Sequence, residues 1–275
     1  MIKTSHLDVI GQPYTVMGIL NLTPDSFSDG GQFLNPDAAI QRVKEMIEEG
    51  VDIIDIGGES TRPGAQPLTA EEEILRVVPV IEAIREQYDI PVSIDTSKAD
   101  VMKAAIDAGA AMINDVRALQ EPGALGTAAE LQMPVCLMHM QGQPRTMQQN
   151  PTYKNVVEDV MSFLSSRVQA CVDAGIDRNK ILIDPGFGFG KTLAHNLSLL
   201  KHLPEFVSMG LPVLVGISRK SMLGVILDAE VDQRVAGGLA TTVLGFEAGA
   251  KVFRVHDVKH TVDALKVCQA VQSAE

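Results

Sequence analysis

The sequence predicts a closed (β/α)₈ barrel, and three observations lead to that prediction. Short runs rich in β-branched and aliphatic residues recur eight times, each with the length of a strand. Their nearly continuous apolar character is typical of parallel strands that are covered on both faces. Segments with helical periodicity lie between the runs, and eight strands alternating with helices in a chain of 275 residues favour the barrel.

The chain carries no sign of a second domain. The predicted strands, in order, are residues 15–20, 51–58, 91–96, 110–116, 134–140, 180–186, 212–218 and 251–257. An open doubly wound sheet is the alternative, but its signature, a GxGxxG motif after the first strand, is absent. Because no Ser/Gly-rich linker and no block of charge divides the sequence, residues 1–275 are predicted to form a single domain.

The helical segments carry their own start and stop signals. The first, "NPDAAIQRVKEMIEEG", has Asn35 as N-cap, Pro36 at the first helical position and Gly50 past its end. Thr69 opens the second, with acidic residues in the first turn. Residues 219–249 hold more helix than one crossover needs, which predicts a short extra helix. The polar, Pro-containing residues 139–155 predict either a long βα loop or an irregular entry to a helix.

Composition narrows the classes of partner. A formal net charge of -12 argues against binding to nucleic acid or to anionic membranes, although a local cluster of cations can still bind a small anion. The three cysteines form no CxxC pair, so they are expected to be ordinary buried or surface residues rather than a disulfide or a metal site. Since no segment is typical of a signal peptide or a membrane span, a cytoplasmic protein is predicted.

Polar residues stand at the end of every predicted strand. An Asp there can simply cap the next helix, which would account singly for Asp115, Asp257 or Ser97. Eight coincident ends are harder to explain that way, and in a barrel they share one rim, so they predict a functional site. The residues are Asn21, Glu59, Ser60, Thr61, Arg62, Asp95, Asn114, Asp115, His139, Asp184, Ser218, Arg219, Lys220, Arg254, His256 and Asp257.

The cationic members of this set come from strands that are neighbours once the barrel closes. They are Arg62, Arg219, Lys220, Arg254 and His256. Their charge and the bidentate geometry of Arg suit a phosphate or diphosphate, with surface salt bridges as the alternative for Arg219. Arg254 and His256 alternate with Val255 and so share one face. By the same alternation Arg219 should point away from Lys220, which makes Lys220 the stronger ligand candidate.

A second group, Asp95, Asn114 and Asp184, combines two carboxylates with an amide. Such acceptors and donors suit a flat, nitrogen-rich heterocycle. A metal cage is the rival interpretation, but the sequence has no clustered His pair and no ladder of carboxylates. Mg²⁺ held mainly by ligand phosphates, with the side-chain oxygen of Asn21, stays compatible with the pattern.

The glycine-rich segment "DPGFGFGKTLAHN" lacks the GxxxxGK[ST] spacing of a phosphate loop. Its glycines are expected to let the backbone approach a ligand, and Phe189 to stack on a ring. An ordinary turn with a Phe that fills the core is the alternative.

Eight motifs together resemble the dihydropteroate synthase family of the bacterial folate pathway. In order they are "GILNLTPDSFSDGG", "DIGGESTRPGA", "IDTSK", "INDV", "CLMHMQGQP", "DPGFGFGK", "GISRKS" and "RVHDV". The resemblance covers nearly the whole chain, with small departures such as Leu22 where a Val is usual. It implies condensation of 6-hydroxymethyl-7,8-dihydropterin diphosphate with p-aminobenzoate, giving 7,8-dihydropteroate and pyrophosphate with the help of Mg²⁺.

The resemblance also implies roles for individual residues, with Asp95, Lys220 and Arg62 as the catalytic set. The pterin would be held by Asp95, Asn114, Asp184 and Lys220; the diphosphate by Asn21, Thr61, Arg254 and His256, with Asn21 on the metal; and p-aminobenzoate by Arg62, Pro63, Phe189, Ser218 and Lys220. Sulfonamides would occupy the p-aminobenzoate pocket. The resemblance further implies a homodimer through barrel helices and two mobile loops, about 22–35 and 60–68, that close over substrate.

The expected mechanism is dissociative. Cleavage of the C–O bond leaves positive charge on the pterin methylene, which Asp95 stabilises, while cations and Mg²⁺ stabilise the departing pyrophosphate and no covalent enzyme intermediate forms. A methyltetrahydrofolate methyltransferase is one rival, but it would not need "FRVHD" or the two loops. A noncatalytic pterin-binding paralogue is the other, and it could lose Lys220, Arg62 or the first loop, all of which are present.

Overall fold

The structure, a computed structural model, describes residues 12–22, 36–60, 67–143 and 146–274. Eight parallel strands stand at its centre, one in each predicted run. They are β1 (Thr15–Asn21), β2 (Ile53–Gly57), β3 (Val92–Asp95), β4 (Met112–Asp115), β5 (Val135–Met138), β6 (Ile181–Asp184), β7 (Leu214–Val215) and β8 (Val252–Val255). Several are shorter than the run that predicted them, and Pro91 and Pro134 lie just outside β3 and β5, where a missing N–H does no harm.

The sheet closes on itself. Its hydrogen-bonded order is β6-β5-β4-β3-β2-β1-β8-β7, with every pair parallel. Between the two ends, Ile183 and Val213 form a parallel bridge, and the amide of Ile183 donates to the carbonyl of Pro212 at 3.0 Å. The barrel prediction is therefore confirmed, and the open sheet is wrong.

Helices follow the strands around the outside. They are α1 (Pro36–Glu49), α2 (Ala70–Gln87), α3 (Ala99–Asp107), α4 (Ala124–Leu131), α5 (Val156–Asp173), α6 (Leu193–Lys201), α7 (Leu203–Val207), α8 (Ser221–Leu227), α9 (Val235–Glu247) and α10 (Val258–Gln272). The short α8 before α9 is the predicted extra helix. Between β5 and α5 the described residues form neither helix nor strand, which agrees with the predicted long loop.

Local signals in the sequence set the helix ends. Helix α1 begins at Pro36, as predicted, while Asn35 lies outside the described residues. Gly50 follows it with φ +92°, a left-handed conformation that turns the chain towards β2. Thr69 caps α2 through a capping box: its hydroxyl accepts from the amide of Glu72 at 3.2 Å, and the Glu72 carboxylate accepts from the Thr69 amide at 2.8 Å.

The barrel interior changes from apolar to polar within two residues. Seven buried side chains form an apolar floor: Met17, Ile53, Met112, Cys136, Leu182, Leu214 and Val252. Residues two apart on a strand point to the same face, so the next inward position on four of these strands holds Asp55, Asn114, Asp184 or Arg254. Polar groups therefore meet above a sealed floor, at the carboxyl ends of the strands.

The remaining features fit a folded domain with reduced thiols. All three cysteines are buried and unpaired, in line with the prediction. Within the described ranges, no helix combines the length and the apolar character that a membrane crossing requires.

Candidate active site

A cavity of about 630 Å³ opens at the carboxyl ends of the strands. Its polar lining contains most of the residues that the sequence singled out. They are Asn21, Glu59, Ser60, Asp95, Ser218, Arg219, Lys220, Arg254 and His256, joined by Phe189 and by two residues the sequence reasoning missed, Ser221 and Arg234. Nine members of the predicted polar rim thus share one concave site.

Arg254 lies at the centre of the site, between two carboxylates. Its Nε donates to Oδ2 of Asp55 at 2.6 Å, and its Nη2 donates to Oδ2 of Asp95 at 2.7 Å. Burial alone would lower the pKa of Arg254, but Asp55 and Asp95 raise it above its ordinary value. The guanidinium therefore stays charged at any pH the protein meets.

The three residues predicted to bind a heterocycle lie together in the polar layer. Asp95 and Asn114 are register partners on β3 and β4, and Asp95 lines the cavity. Asn114 and Asp184 are buried beside it, and Oδ1 of Asp184 accepts from the amide of Gly186 at 2.7 Å. Burial raises the pKa of both carboxyl groups, more than the nearby cations lower it. Such acids bind most strongly to a ligand that brings its own N–H donors.

Lys220 and Arg219 both line the cavity but bind different partners. They lie in a turn beyond β7, where Arg219 has φ +58°, so the alternation predicted from the strand does not apply to them. The Lys220 ammonium donates to the carbonyl of Phe187 and lies 4.5 Å from the centre of the Phe189 ring. Burial lowers the pKa of Lys220 to about 8. Arg219 instead pairs with Asp257, with Nε 3.1 Å from Oδ2.

The glycine-rich segment after β6 contains both a core residue and a cavity residue. Phe187 is wholly buried in the core, whereas Phe189 is half-buried and lines the cavity. The segment is held from below by Lys191, whose buried ammonium donates to the carbonyls of Gly186 at 2.9 Å and Phe189 at 3.1 Å. Sequence reasoning missed Lys191, because nothing in the local pattern shows that its ammonium turns inward.

His139 is a correction to the predicted rim. It follows β5, but it is buried and does not line the cavity. Burial and the neighbouring Lys191, 2.9 Å from Nδ1, lower the pKa of His139 to about 3, so the ring is neutral. It packs edge-on against Phe163, with ring centres 4.9 Å apart. Its role is structural.

The helix-capping alternative holds for none of the three residues it was offered for, because α4 begins after Gly123, α3 begins after Lys98, and the Asp257 side chain makes no cap bond to α10. Asp115 accepts hydrogen bonds from the amides of Arg117 and Leu119, each at 2.7 Å, and from the hydroxyl of Ser97 at 2.5 Å, so it stabilises its own turn. Ser97 serves that turn rather than capping α3. Asp257 stands at the start of α10 without a side-chain cap and binds Arg219 instead.

The anion end of the cavity combines Asn21, Ser218, Arg254 and His256. Nδ1 of His256 lies 3.2 Å from the hydroxyl of Ser218, which links the ends of β7 and β8. Thr61, Arg62 and Pro63 lie outside the described residues, as do residues 23–35 and most of the second loop.

The residues at this end could hold Mg²⁺ only if the ion takes its other ligands from phosphate groups and water. Across the described ranges, no group of three or more His, Cys, Asp or Glu side chains could hold a metal ion. Asn21 supplies one neutral oxygen beside the cations of the anion end. That donor set suits an ion that takes most of its ligands from phosphate oxygens and water.

Two acidic features of the site escaped the sequence reasoning. Asp55 lies in the middle of β2 rather than at its end, so a search of strand ends passed over it, although a charge inside an apolar strand was a usable signal. Lys98 binds both Glu59 and Glu73, at 2.6 Å from Oε2 of the wholly buried Glu73. This second cluster joins the end of β2 to α2.

Comparison with known proteins decides the family. Residues 17–256 match the family model of the pterin binding enzymes. A dihydropteroate synthase of Haemophilus influenzae is 56% identical over 259 residues, which cover 94% of each chain. The chain belongs to the dihydropteroate synthase family.

Solved dihydropteroate synthases share its fold closely. The Yersinia pestis enzyme in complex with a sulfonamide drug superposes with a TM-score of 0.90 at 53% identity, covering 95% of each chain. The Xanthomonas albilineans enzyme with 4-aminobenzoic acid gives a TM-score of 0.90 at 52% identity, covering 95% of this chain and 94% of its own. The resemblance drawn from the eight motifs is confirmed, and the cavity is the site where dihydropteroate synthase chemistry has to be explained.

Proposed function

We propose that the protein condenses 6-hydroxymethyl-7,8-dihydropterin diphosphate with p-aminobenzoate, releasing 7,8-dihydropteroate and pyrophosphate. The observation that carries this proposal is the polarity of one cavity. Asp95 lines the cavity and binds Arg254 at 2.7 Å, and Asp184 is buried at the end of β6, while Asn21, Arg254 and His256 line the part of the cavity where we place the leaving diphosphate. A reaction that develops opposite charges at its two ends needs this arrangement.

The polar layer formed by Asp95, Asn114 and Asp184 suits the pterin ring. Its ring N–H and amino groups can donate to Asp184 and Asp95, while Asn114 both donates and accepts. Since these side chains are largely buried, the N–H groups of the ring would give the carboxylates hydrogen-bond partners in place of water. Lys220, above Phe189, can donate to a ring oxygen or nitrogen.

The charges of the site then assist C–O cleavage without a covalent intermediate. Asp95 stabilises the positive charge that spreads onto the methylene and ring. Arg254 and His256 stabilise the departing diphosphate, and Arg254 is already fixed by its two carboxylates, so no reorganisation is needed. Mg²⁺, bound by the diphosphate and Asn21, would neutralise further negative charge on the leaving group.

The arylamine pocket is expected above the pterin, between Phe189, Ser218 and Lys220. Ser221 and Arg234 lie farther along the same wall. The Arg234 guanidinium is held by the carbonyls of Ala229 at 3.0 Å and Arg219 at 3.1 Å. We assign the carboxylate of p-aminobenzoate to this guanidinium. Sulfonamides resemble p-aminobenzoate in shape, so we assign them to the same pocket.

One assay tests the reaction and separates it from its rivals. Incubation with the pterin diphosphate, p-aminobenzoate and Mg²⁺ should release pyrophosphate only when the amine is present. A methyltransferase would release none, and a noncatalytic paralogue would bind the pterin without turnover. Asp95→Asn should lower kcat far more than it weakens pterin binding, whereas Arg254→Ala should weaken binding of the diphosphate more than binding of the pterin alcohol.

We also propose that the protein is a cytoplasmic homodimer. Leu244 on α9 and Val267 and Val271 on α10 are 56%, 65% and 69% exposed, on helices that pack side by side. An apolar face of this kind is typical of a subunit interface. Sedimentation should show a dimer that Val271→Glu shifts towards monomer, while Leu75→Glu, 70% exposed on α2, leaves it intact. If the two substitutions shift the dimer towards monomer equally, the face formed by α9 and α10 is not the subunit interface. The buried, unpaired thiols support a reducing compartment.

A further inference from the structure

One buried carboxylate of the barrel interior touches two ligand-binding side chains and does not itself line the cavity. Asp55 has no exposed surface. Its Oδ2 accepts a hydrogen bond from Nε of Arg254 at 2.6 Å and another from Nδ2 of Asn114 at 3.2 Å. A single oxygen atom thus meets both the anion end and the pterin end of the site.

The barrel topology explains why Asp55 can do this. The strand order around it is β8-β1-β2-β3-β4, so β2 is two strands away from β8 on one side and from β4 on the other. Its inward side chain therefore reaches Arg254 and Asn114 across the interior rather than along a sheet ladder. No other described acid contacts both of these residues.

The state of its second oxygen indicates that stability does not account for Asp55. Oδ1 is buried and has no hydrogen-bond partner. A buried carboxylate with an unsatisfied oxygen carries a desolvation cost that the two hydrogen bonds to its other oxygen offset only in part. Charged groups retained at such a cost are usually found where function requires them.

We propose that Asp55 is a positioning residue, which aligns Arg254 for the diphosphate and Asn114 for the pterin through one carboxylate oxygen. It contacts no substrate and acts only through these two side chains. The proposal rests on the proposed function for the identity of the ligands. Without Asp55, the Arg254 guanidinium would keep only Asp95, a residue that must also serve the ring, and the Asn114 amide would lose its partner.

A double-mutant cycle tests the proposal. Asp55→Asn keeps the shape and one acceptor oxygen but removes the charge. Its effect is measured as the Kd of the pterin diphosphate, by calorimetry, in three backgrounds: wild type, Arg254→Ala and Asn114→Ala. We expect a loss of about tenfold in the wild type and a loss at least threefold smaller in each of the other backgrounds, because residues that act through one another are not additive. The KM of p-aminobenzoate should stay within about twofold.

The control variant is Ser93→Ala. Ser93 is the register partner of Asp55 on β3, is equally buried, and has a hydroxyl without a hydrogen-bond partner, so it makes no hydrogen bond to a ligand-binding residue. It should leave the Kd unchanged. If Asp55→Asn does not fold, Asp55→Ser is run through the same cycle.

Three results would overturn the proposal: a Kd near that of the wild type, equal losses in all three backgrounds, or an equal loss in Ser93→Ala. Failure of the proposed function would look different, because the wild type would then bind the pterin diphosphate without releasing pyrophosphate. The cycle uses binding alone, so it gives its answer in either case.

Discussion

The turn after β6 offers a sharp test of how rigidly the site is held. Gly186 has φ +71°, and a Cβ added there would lie 1.9 Å from the carbonyl oxygen of His139. Gly210 has the same φ of +71° but nothing within 4 Å of an added Cβ. Gly186→Ala and Gly210→Ala therefore share the conformational cost of a left-handed alanine and differ in the steric contact.

The magnitudes follow from these contacts. Both variants lose about 1–2 kcal/mol because a Cβ is disfavoured in the left-handed region. In Gly186→Ala the backbone must also open until the contact exceeds the ordinary limit of 3.4 Å, which breaks the bonds from Gly186 to Asp184 and Lys191, at 2.7 and 2.9 Å. At about 1.5–3 kcal/mol for each bond to a charged group, the total loss should reach at least about 4 kcal/mol.

Urea denaturation followed by circular dichroism measures both free energies of unfolding, and pyrophosphate release measures kcat/KM. Gly186→Ala should also raise the KM of both substrates, because the turn carries Asp184 and Phe189, while Gly210→Ala should keep normal kinetics. If the free energies of the two variants agree within about 1 kcal/mol, the backbone can yield at Gly186 and the reasoning is wrong.

Three further predictions concern charge, metal and a helix cap. Burial raises the pKa of Asp95, so kcat/KM should fall on the acid side well above the pH of about 4 at which an ordinary Asp protonates. Burial lowers the pKa of Lys220 to about 8, so kcat/KM should fall again above about pH 8. A flat pH profile would contradict both predictions. Removing Mg²⁺ with a chelator should weaken binding of the pterin diphosphate by about tenfold or more, while binding of the pterin alcohol stays within about twofold. Asn21→Ala should reduce that difference. Equal losses of affinity for the two ligands would refute a metal site shared with the phosphates. Thr69→Ala should lower the free energy of unfolding by about 1 kcal/mol through loss of the capping box, with unchanged kcat, and a neutral effect in urea denaturation would show that the cap contributes nothing.

The fold could be predicted because its signals are local. Each strand of the barrel is an apolar run that needs no partner to be recognised, and helix ends are marked by residues such as Pro36, Gly50 and Thr69. The rim residues were found for a related reason: strand order places all carboxyl ends on one side, whatever the packing between them. The prediction that His139 belongs to the functional rim was wrong, because a position at a strand end does not decide whether the side chain faces the cavity or the core.

The residues that were missed depend on distant contacts. Asp55 binds Asn114, which is 59 positions away along the chain, and Arg254, which is 199 positions away. Lys191 contacts His139, which is 52 positions away. No periodicity or spacing predicts such contacts. Arg234 lines the cavity with its guanidinium bound to the carbonyls of Ala229 and Arg219, a contact that spans α8.

Charge balance within the site limits what single substitutions can show. Two of the acids of the site, Asp55 and Asp95, share Arg254 as their cation. Removing Arg254 therefore leaves two carboxylates without their partner, which raises the pKa of Asp95 further and favours its protonation near neutral pH. A lower kcat in Arg254→Ala would then combine a lost contact to diphosphate with a lost charge beside the methylene. The two effects separate with pH, because raising the pH restores the Asp95 carboxylate but cannot restore the guanidinium. An Arg254→Ala variant whose kcat partly recovers between about pH 7 and pH 9, while its Kd for the diphosphate stays weak, would show that Arg254 serves both ends of the reaction.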